Sequence, residues 1–150
     1  MKLITHILFS IMVLMALGWV LHLNLLVQIV ALSMVNIIID YFGHSAYRGV
    51  KRTAMTHSPL SAGLIGVAWG VVLYFLLPFL GISGHLLFMV IGGAVAGWSH
   101  LFLDSMTYSG IYIFHKRVAI AHFRNGPIDV PFVILSFVGI LYFLGVFVGI

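Results

Sequence analysis

The chain has 150 residues, of which 63% are hydrophobic and only 7% are charged. Soluble domains carry about 25% charged residues, so the composition excludes a soluble globular domain, a disordered chain and a nucleic-acid-binding protein, and it predicts a polytopic membrane protein. The absence of cysteine excludes disulfide bonds, iron–sulfur clusters and thiolate zinc sites. The net charge is +4, and the eight histidines outnumber the three acidic residues.

Five apolar runs predict five transmembrane helices in a single all-α domain over residues 1–150. A spanning helix needs about 20 apolar residues, and the first run is long enough for two such helices with a break near His22. Pro59 suits the first turn of the third helix, and a turn over 81–84 separates the third from the fourth. The predicted spans, in chain order, are 3–20, 25–40, 59–80, 85–104 and 130–150.

The basic residues all fall on one side of this arrangement. They precede the first span, or lie between spans two and three or between spans four and five: Lys2, Arg48, Lys51, Arg52, Lys116, Arg117 and Arg124. The positive-inside rule therefore predicts a multi-pass cell-membrane protein with a cytoplasmic N-terminus. The positive charge also favours contact with anionic membrane lipid. The aromatic and basic residues of the 105–129 loop predict an interfacial hairpin or amphipathic segment.

Potential metal ligands gather at the predicted cytoplasmic ends of four spans. They are His6, Asp40, His44, His57, His100 and Asp104. Asp40 with His44, and His100 with Asp104, are i, i+4 pairs, which share one helix face with Cβ atoms about 6 Å apart. Imidazole and carboxylate ligands favour zinc, with manganese and iron as alternatives. The structural alternative is that each pair is a helix cap or a hydrogen-bonded pair.

Two motifs resemble those of a known family. Residues 51–58 read K-R-T-A-M-T-H-S, and residues 100–110 follow the pattern H-x-x-x-D-x-x-T-x-x-G. They are similar to motifs of the membrane-bound metal-dependent hydrolases of the YdjM-like family, which includes a LexA-regulated inner-membrane protein of bacteria. Thr5-His6 and Asp40 match further positions of that family, and the resemblance covers about residues 5–125. Lys51 replaces a histidine of the bacterial pattern, so the chain is more similar to an archaeal branch, with His44 as a substitute for that histidine.

The residues and the resemblance together imply metal-assisted hydrolysis of an amphiphilic or lipid-linked substrate, such as a phosphoester, at the cytoplasmic face. A bound zinc-like ion lowers the pKa of its water toward about 7. His57 and Asp104 are expected to act in catalysis with Asp40, whose carboxylate is one candidate general base. Arg48 and Arg52 are expected to hold the anionic group of the substrate, since arginine binds phosphate and carboxylate with two parallel hydrogen bonds.

Other function classes remain open at this point. A metal-ion or proton transporter, or a membrane protein that binds metal without catalysis, would use the same ligands. A transporter needs polar residues through the spans, and the interior offers only Asn24, Gln28, Asn36 and small hydroxyls. A haem-binding subunit needs histidines facing each other across the bilayer interior, whereas these cluster at one edge. The substrate, the metal and the oligomeric state do not follow from the sequence.

Overall fold

The computed structural model describes residues 1–23, 25–45, 51–114, 116–124 and 126–148, without the side chains of residues 44, 45, 51, 52, 147 and 148. The helices are α1 (Leu3–Val20), α2 (Leu26–Ser33), α3 (Val35–Gly43), α4 (Pro59–Leu76), α5 (Leu86–Ser105) and α6 (Asp129–Val148), and a 3-10 turn over Leu77–Leu80 extends α4. The strands are β1 (His44–Ser45), β2 (Lys51–Arg52), β3 (Ile111–Ile113) and β4 (Lys116–Val118). β1 pairs with β2 and β3 with β4, both in antiparallel register.

Five helical segments in the described part of the chain are long and apolar enough to cross a membrane. Three of them are α1, α5 and the Asp129–Val146 part of α6. α2 and α3 together form the segment Leu26–Gly43, and α4 with its 3-10 turn forms Pro59–Leu80. These segments confirm the prediction of five apolar, membrane-length helices, and they indicate a membrane protein.

The start of α4 and the turn into α5 have local causes. Ser58 is the N-cap of α4, and its hydroxyl oxygen accepts a hydrogen bond from the Ser61 backbone N–H at 3.3 Å. Pro59 then occupies the first turn, where its missing N–H costs nothing. Gly81 follows the 3-10 turn in the left-handed conformation, at φ 73°, which glycine adopts without steric strain. The chain therefore reverses direction between α4 and α5.

Glycines bring the backbones of α4 and α5 into direct contact. A Cβ atom added at Gly66 would collide with the carbonyl oxygen of Gly93, and one added at Gly97 would collide with the carbonyl oxygen of Ala62. Small residues at such a crossing allow the close van der Waals packing that holds helices together in a membrane. We refer to Ala62, Gly66, Gly93 and Gly97 as the glycine seam.

α5 is the central helix of the bundle. It contacts α1, α2, α3 and α4, and 61% of the residues in its apolar stretch are buried. α6 packs mainly against α1, and only 11% of its apolar stretch is buried. Functional groups on the buried faces of α5 are therefore well shielded from the exterior.

The β3–β4 hairpin lies at the end of the bundle where α4 begins and α5 ends. The Tyr112 backbone N–H donates to the His57 carbonyl at 2.8 Å, and the Ile120 N–H donates to the Ser105 carbonyl at 2.7 Å. Phe114, at the hairpin turn, is 87% exposed. The hairpin expected within the 105–129 loop is thus present, and its placement at the lipid headgroups stays a prediction.

Candidate metal centre

Five side chains from four parts of the bundle meet at the end where α5 terminates. One is on the first turn of α1, one near the end of α3, one just before α4 and two on the last turns of α5: His6, Asp40, His57, His100 and Asp104. We call these five residues the His/Asp cluster. The three histidines and Asp104 are at most 1% exposed, and the Asp40 side chain is 19% exposed. Asp40 is therefore the member of the cluster nearest to the exterior.

Asp104 is the centre of the cluster. Its Oδ1 atom lies 3.3 Å from His6 Nε2. Its Oδ2 atom lies 3.4 Å from His57 Nε2 and 3.3 Å from His100 Nε2. A carboxylate with three imidazole rings around it can share a cation with them, or can accept their N–H groups.

Asp40 approaches the same two histidines from another side. Its Oδ1 atom lies 3.5 Å from His100 Nε2 and 4.0 Å from His57 Nε2. The ligand atoms around a tetrahedral zinc ion with bonds of about 2.0–2.1 Å are about 3.3–3.4 Å apart. Three contacts are within about 0.2 Å of that spacing, namely that of His57 with Asp104 and those of His100 with Asp104 and Asp40. The distance from His57 to Asp40 is longer.

The ligand atoms form two overlapping groups that could each hold an ion. One group contains His6, His100 and Asp104, and the other contains Asp40, His57 and His100; within each group the atoms lie within 4.8 Å of one another. The His6 and His100 rings are stacked with their centroids 4.1 Å apart. Two protonated imidazoles at that distance would repel each other, so the arrangement favours neutral rings, the form in which histidine binds metals.

Burial of two carboxylates at one end of an apolar bundle requires compensation of their charge. The cluster itself combines three imidazoles, which can be neutral, with the two aspartates. A divalent cation would neutralise both carboxylates while leaving the histidines neutral. The chemistry of the donor set therefore fits a hard or borderline divalent ion such as zinc, manganese or iron.

The backbone around His57 depends on a glycine. A Cβ atom added at Gly43 would collide with the ring carbon Cε1 of His57 and with the hydroxyl of Thr56. The Thr56 hydroxyl lies 2.8 Å from His57 Nδ1, which leaves the Nε2 atom to face Asp104. Gly43 and Thr56 therefore position His57 within the cluster.

The comparisons with known proteins identify a family without an assigned activity. The model of the family described as "Protein of unknown function (DUF1286)" matches residues 1–103, which is more than two thirds of the chain. The chain belongs to this family. The matched region includes four members of the His/Asp cluster and ends one residue before the fifth, Asp104. No curated protein and no solved structure matches the chain.

The resemblance to the YdjM-like hydrolases is wrong as a family assignment. The matching model is that of the DUF1286 family, and no hydrolase family model matches. The physical reason is that the shared motifs consist of a few polar residues at the ends of apolar helices. Any membrane protein that gathers His and Asp residues at one edge produces similar short patterns, so the motifs identify the kind of site better than the family.

The structure brings together five of the six predicted metal ligands, and the sixth needs a correction. His44 was expected to share a helix face with Asp40, but α3 ends at Gly43 and His44 begins β1. The i, i+4 argument therefore does not apply to this pair. The side chains of His44 and Arg52 lie outside the described residues, as does the whole of Arg48, so the roles predicted for these three residues stay predictions.

Sequence reasoning missed two further residues that contact the cluster. Asn36 Oδ1 lies 3.0 Å from His100 Nδ1, and Gly43 leaves room for the His57 ring. A signal for Asn36 was present in the sequence: it precedes Asp40 by four residues in an otherwise apolar run. By the i, i+4 rule the two residues lie on one helix face. No comparable pattern marks Gly43, because its role depends on a contact with a distant segment.

Proposed function

We propose that the chain is a membrane-embedded, metal-dependent hydrolase. The single observation that carries the proposal is the His/Asp cluster, in which three histidines and two aspartates from three helices and the segment before α4 converge. Zinc is the ion we favour, with manganese or iron as alternatives. Intramembrane ionisable residues are costly and are typically functional, which supports a role beyond helix packing.

Two members of the cluster differ in exposure, and this supports different roles for them. A bound divalent ion supplies a coordinated water with a pKa near 7. Asp104 contacts three histidines and is fully buried, which suits a ligand. Asp40 is partly exposed, so its carboxylate can accept a proton from water and pass it to solvent as a general base. His57 and His100 complete the ligand set.

Apolar clefts along α5 support an amphiphilic substrate. A cleft of about 420 Å³ lies between the start of α4, the end of α5 and the loop after β4, with a lining that includes Pro59, Trp98, Phe102, Ile111 and Ile120. A second cleft of about 350 Å³ shares Trp98 and Phe102 with it and continues toward α1. No member of the His/Asp cluster lines either cleft, and their apolar walls suit the acyl or isoprenoid chain of a membrane-derived phosphoester or ester.

The charge distribution supports a cytoplasmic site in the cell membrane. All seven basic residues of the chain lie at the N-terminus, between α3 and α4 or between α5 and α6. These three segments adjoin the ends of α1, α3, α4 and α5 that bear the cluster. The positive-inside rule then orients the N-terminus and the cluster toward the cytoplasm. A reporter fused after Ser58 that reads on the outer side would contradict this orientation.

The test is metal content and activity of full-length protein purified in detergent. We expect a near-stoichiometric divalent metal and turnover of a generic phosphoester or ester amphiphile. His100→Ala combined with Asp104→Ala should remove most of the metal and the activity. The matched control is His22→Ala combined with His85→Ala, which removes two exposed histidines outside the cluster and should change neither.

Three outcomes would contradict the proposal. Equal metal content in the two double variants would show that the cluster does not bind the ion. Metal binding without turnover of any amphiphile would instead favour a metal-binding protein without catalysis or a transporter of metal ions or protons. A haem absorption spectrum from the purified protein would instead indicate a haem-binding subunit.

A further inference from the structure

A chain of buried polar side chains extends from His100 toward the interior of the bundle. It consists of Asn36, Ser10 and Ser99, which lie on α3, α1 and α5 and are at most 6% exposed. We call these three residues the amide–hydroxyl network. Polar groups buried in a membrane protein need hydrogen-bond partners, and the partners in this network determine the direction of each hydrogen bond.

The donor and acceptor of each hydrogen bond follow from the end of the network that contacts a backbone carbonyl. Ser99 lies 2.8 Å from the carbonyl oxygen of Ala96, and a carbonyl can only accept, so the Ser99 O–H is the donor there. The Ser99 oxygen is then the acceptor in its 2.6 Å contact with the hydroxyl of Ser10. The Ser10 O–H is therefore used as a donor to Ser99, and the Ser10 oxygen is left to accept.

The two N–H groups of the Asn36 amide are both engaged. Asn36 Nδ2 donates to the Ser10 oxygen at 2.9 Å and to the carbonyl oxygen of Ser33 at 2.6 Å. The second partner is again an acceptor only, which fixes the orientation of the amide. The Asn36 Oδ1 atom consequently faces His100 Nδ1, at 3.0 Å, as an acceptor. His100 Nδ1 must therefore carry the hydrogen.

This assignment determines what the other ring nitrogen of His100 can do. A neutral imidazole with a proton on Nδ1 presents a bare lone pair at Nε2. That lone pair faces the carboxylate oxygens of Asp104 and Asp40, at 3.3 and 3.5 Å. Within the described residues His100 Nε2 has no hydrogen-bond partner. A lone pair that points toward two carboxylate oxygens is repelled by them, and a cation bound between them removes this repulsion.

We propose that Asn36 is a positioning residue, which holds His100 in the tautomer that binds a divalent metal ion through Nε2. The inference rests on the proposed metal centre and extends it into the helices below the ion. The groups that hydrogen-bond the second nitrogen of a metal-binding histidine fix its ring and raise its basicity, and their loss typically weakens metal binding 10- to 100-fold.

The experiment compares two substitutions at Asn36 in the full-length protein in detergent, with zinc alone as the probe and a chelator competition to measure its Kd. Asn36→Leu removes the acceptor for His100 Nδ1 and should raise the Kd about 10- to 100-fold. Asn36→Asp keeps an acceptor for that nitrogen but loses both N–H donors. It should bind zinc with an affinity close to wild type.

A matched control separates positioning from a general loss of packing. Gln28→Leu also replaces a buried amide in the Leu26–Gly43 segment, one that donates to the Ser83 carbonyl away from the cluster. It should leave the zinc Kd unchanged. If Asn36 has only a structural role, Asn36→Asp should weaken zinc binding at least as much as Asn36→Leu, because it leaves Ser10 and Ser33 without their donor. That result, or an unchanged Kd in Asn36→Leu, would overturn the proposal.

A second measurement needs no substitution at Asn36. The ¹⁵N chemical shifts of selectively labelled histidines in the zinc-loaded wild-type protein report which ring nitrogen carries the hydrogen. The His100 signal, assigned by its loss in His100→Ala, should show a protonated Nδ1 and a metal-bound Nε2, and the reverse pattern would overturn the inference. Absence of zinc binding by the wild-type protein would contradict the proposed function itself, whereas zinc binding that is indifferent to Asn36 would contradict only this role of Asn36.

Discussion

α5 and α6 are two helices of equal length and similar composition that occupy opposite positions in the bundle. Each has 20 residues, and their mean hydropathies are 1.8 and 2.1. Yet 61% of the apolar stretch of α5 is buried, against 11% in α6. Hydropathy determines whether a helix enters the membrane, and it says little about which neighbours the helix will have there.

The difference follows from small and polar residues. In α5, Gly93 and Gly97 allow backbone contact with α4, and His100 and Asp104 need partners that only the interior of the bundle supplies. In α6 a Cβ atom at Gly145 would meet no atom of the described residues within 4 Å. Lipid tails solvate leucine and phenylalanine as well as a protein interior does. A helix in a membrane is therefore buried when it carries polar residues that lipid cannot solvate, or small residues that let two backbones approach each other.

The largest expected effect comes from a bulky residue in the glycine seam. Gly93→Leu would place side-chain atoms against the Gly66 carbonyl oxygen, a backbone atom that no change of rotamer can move. We expect a loss of about 3 kcal/mol or more in the free energy of unfolding, measured as a lower thermal midpoint and a poor yield of monodisperse protein. Gly145→Leu should change stability by less than about 0.5 kcal/mol. Equal losses in the two helices would show that the contrast between them is wrong.

Asp104 on α5 and Asp129 at the start of α6 provide a second comparison. If the His/Asp cluster binds metal only in the folded state, the ion stabilises that state by about 2.7 kcal/mol at a hundredfold excess over its Kd. A chelator should then lower the thermal midpoint of the wild-type protein, and Asp104→Asn should abolish the response. Asp129→Asn keeps one oxygen that can accept from the Lys2 N–H and the Thr5 hydroxyl, but it removes the negative charge and the second oxygen, which accepts from the Gly126 N–H. It should lower the midpoint but keep the response to chelator.

If a chelator still lowered the thermal midpoint of Asp104→Asn, Asp104 would not be needed to bind the metal. An insensitive wild-type protein would have a different meaning, since it would reduce the cluster to hydrogen-bonded pairs that hold the ends of the helices. The comparison with Asp129→Asn is needed because both acids are buried, and loss of either one alone could lower the midpoint.

A smaller effect is expected from aromatic side chains. Phe88 on α5 is 1% exposed, whereas Phe137 on α6 is 57% exposed. Phe88→Ala leaves a cavity inside the bundle and should cost about 2 kcal/mol, measured by unfolding in mixed micelles. This is less than the roughly 3–5 kcal/mol typical of soluble cores, because lipid or detergent solvates an exposed phenylalanine better than water does. Phe137→Ala exposes only space that lipid or detergent can fill, so its cost should be well below that of Phe88→Ala. Similar costs would mean that α6 packs against more of the protein than α1.

Part of the cluster could be predicted from the sequence because its residues have a simple distribution. Every member of the His/Asp cluster lies at the predicted cytoplasmic end of an apolar run. Counting the spans was therefore enough to place all five residues at one membrane face. The i, i+4 argument for His44 relied on a helix continuing beyond Gly43, and it does not apply because α3 ends there and the chain turns into β1. Helix ends are decided by contacts there, here the close approach of Gly43 to His57.

The sequence by itself determined the number and the bounds of the apolar helices. The predicted spans 3–20 and 59–80 coincide with Leu3–Val20 and Pro59–Leu80, since the length of an apolar run and the position of a proline are local properties. The segment predicted over 25–40 continues to Gly43, because the end of α3 packs against the cluster.

Only the tertiary structure decided which atoms face each other. No local pattern places Asp104 Oδ1 against His6 and Oδ2 against His57, or directs the Asn36 amide toward His100. These contacts join residues as far as 98 positions apart, and they depend on how closely the glycine seam lets α5 approach its neighbours. The polarity of each residue is encoded locally, but the orientation of its side chain results from the packing of all the helices around α5.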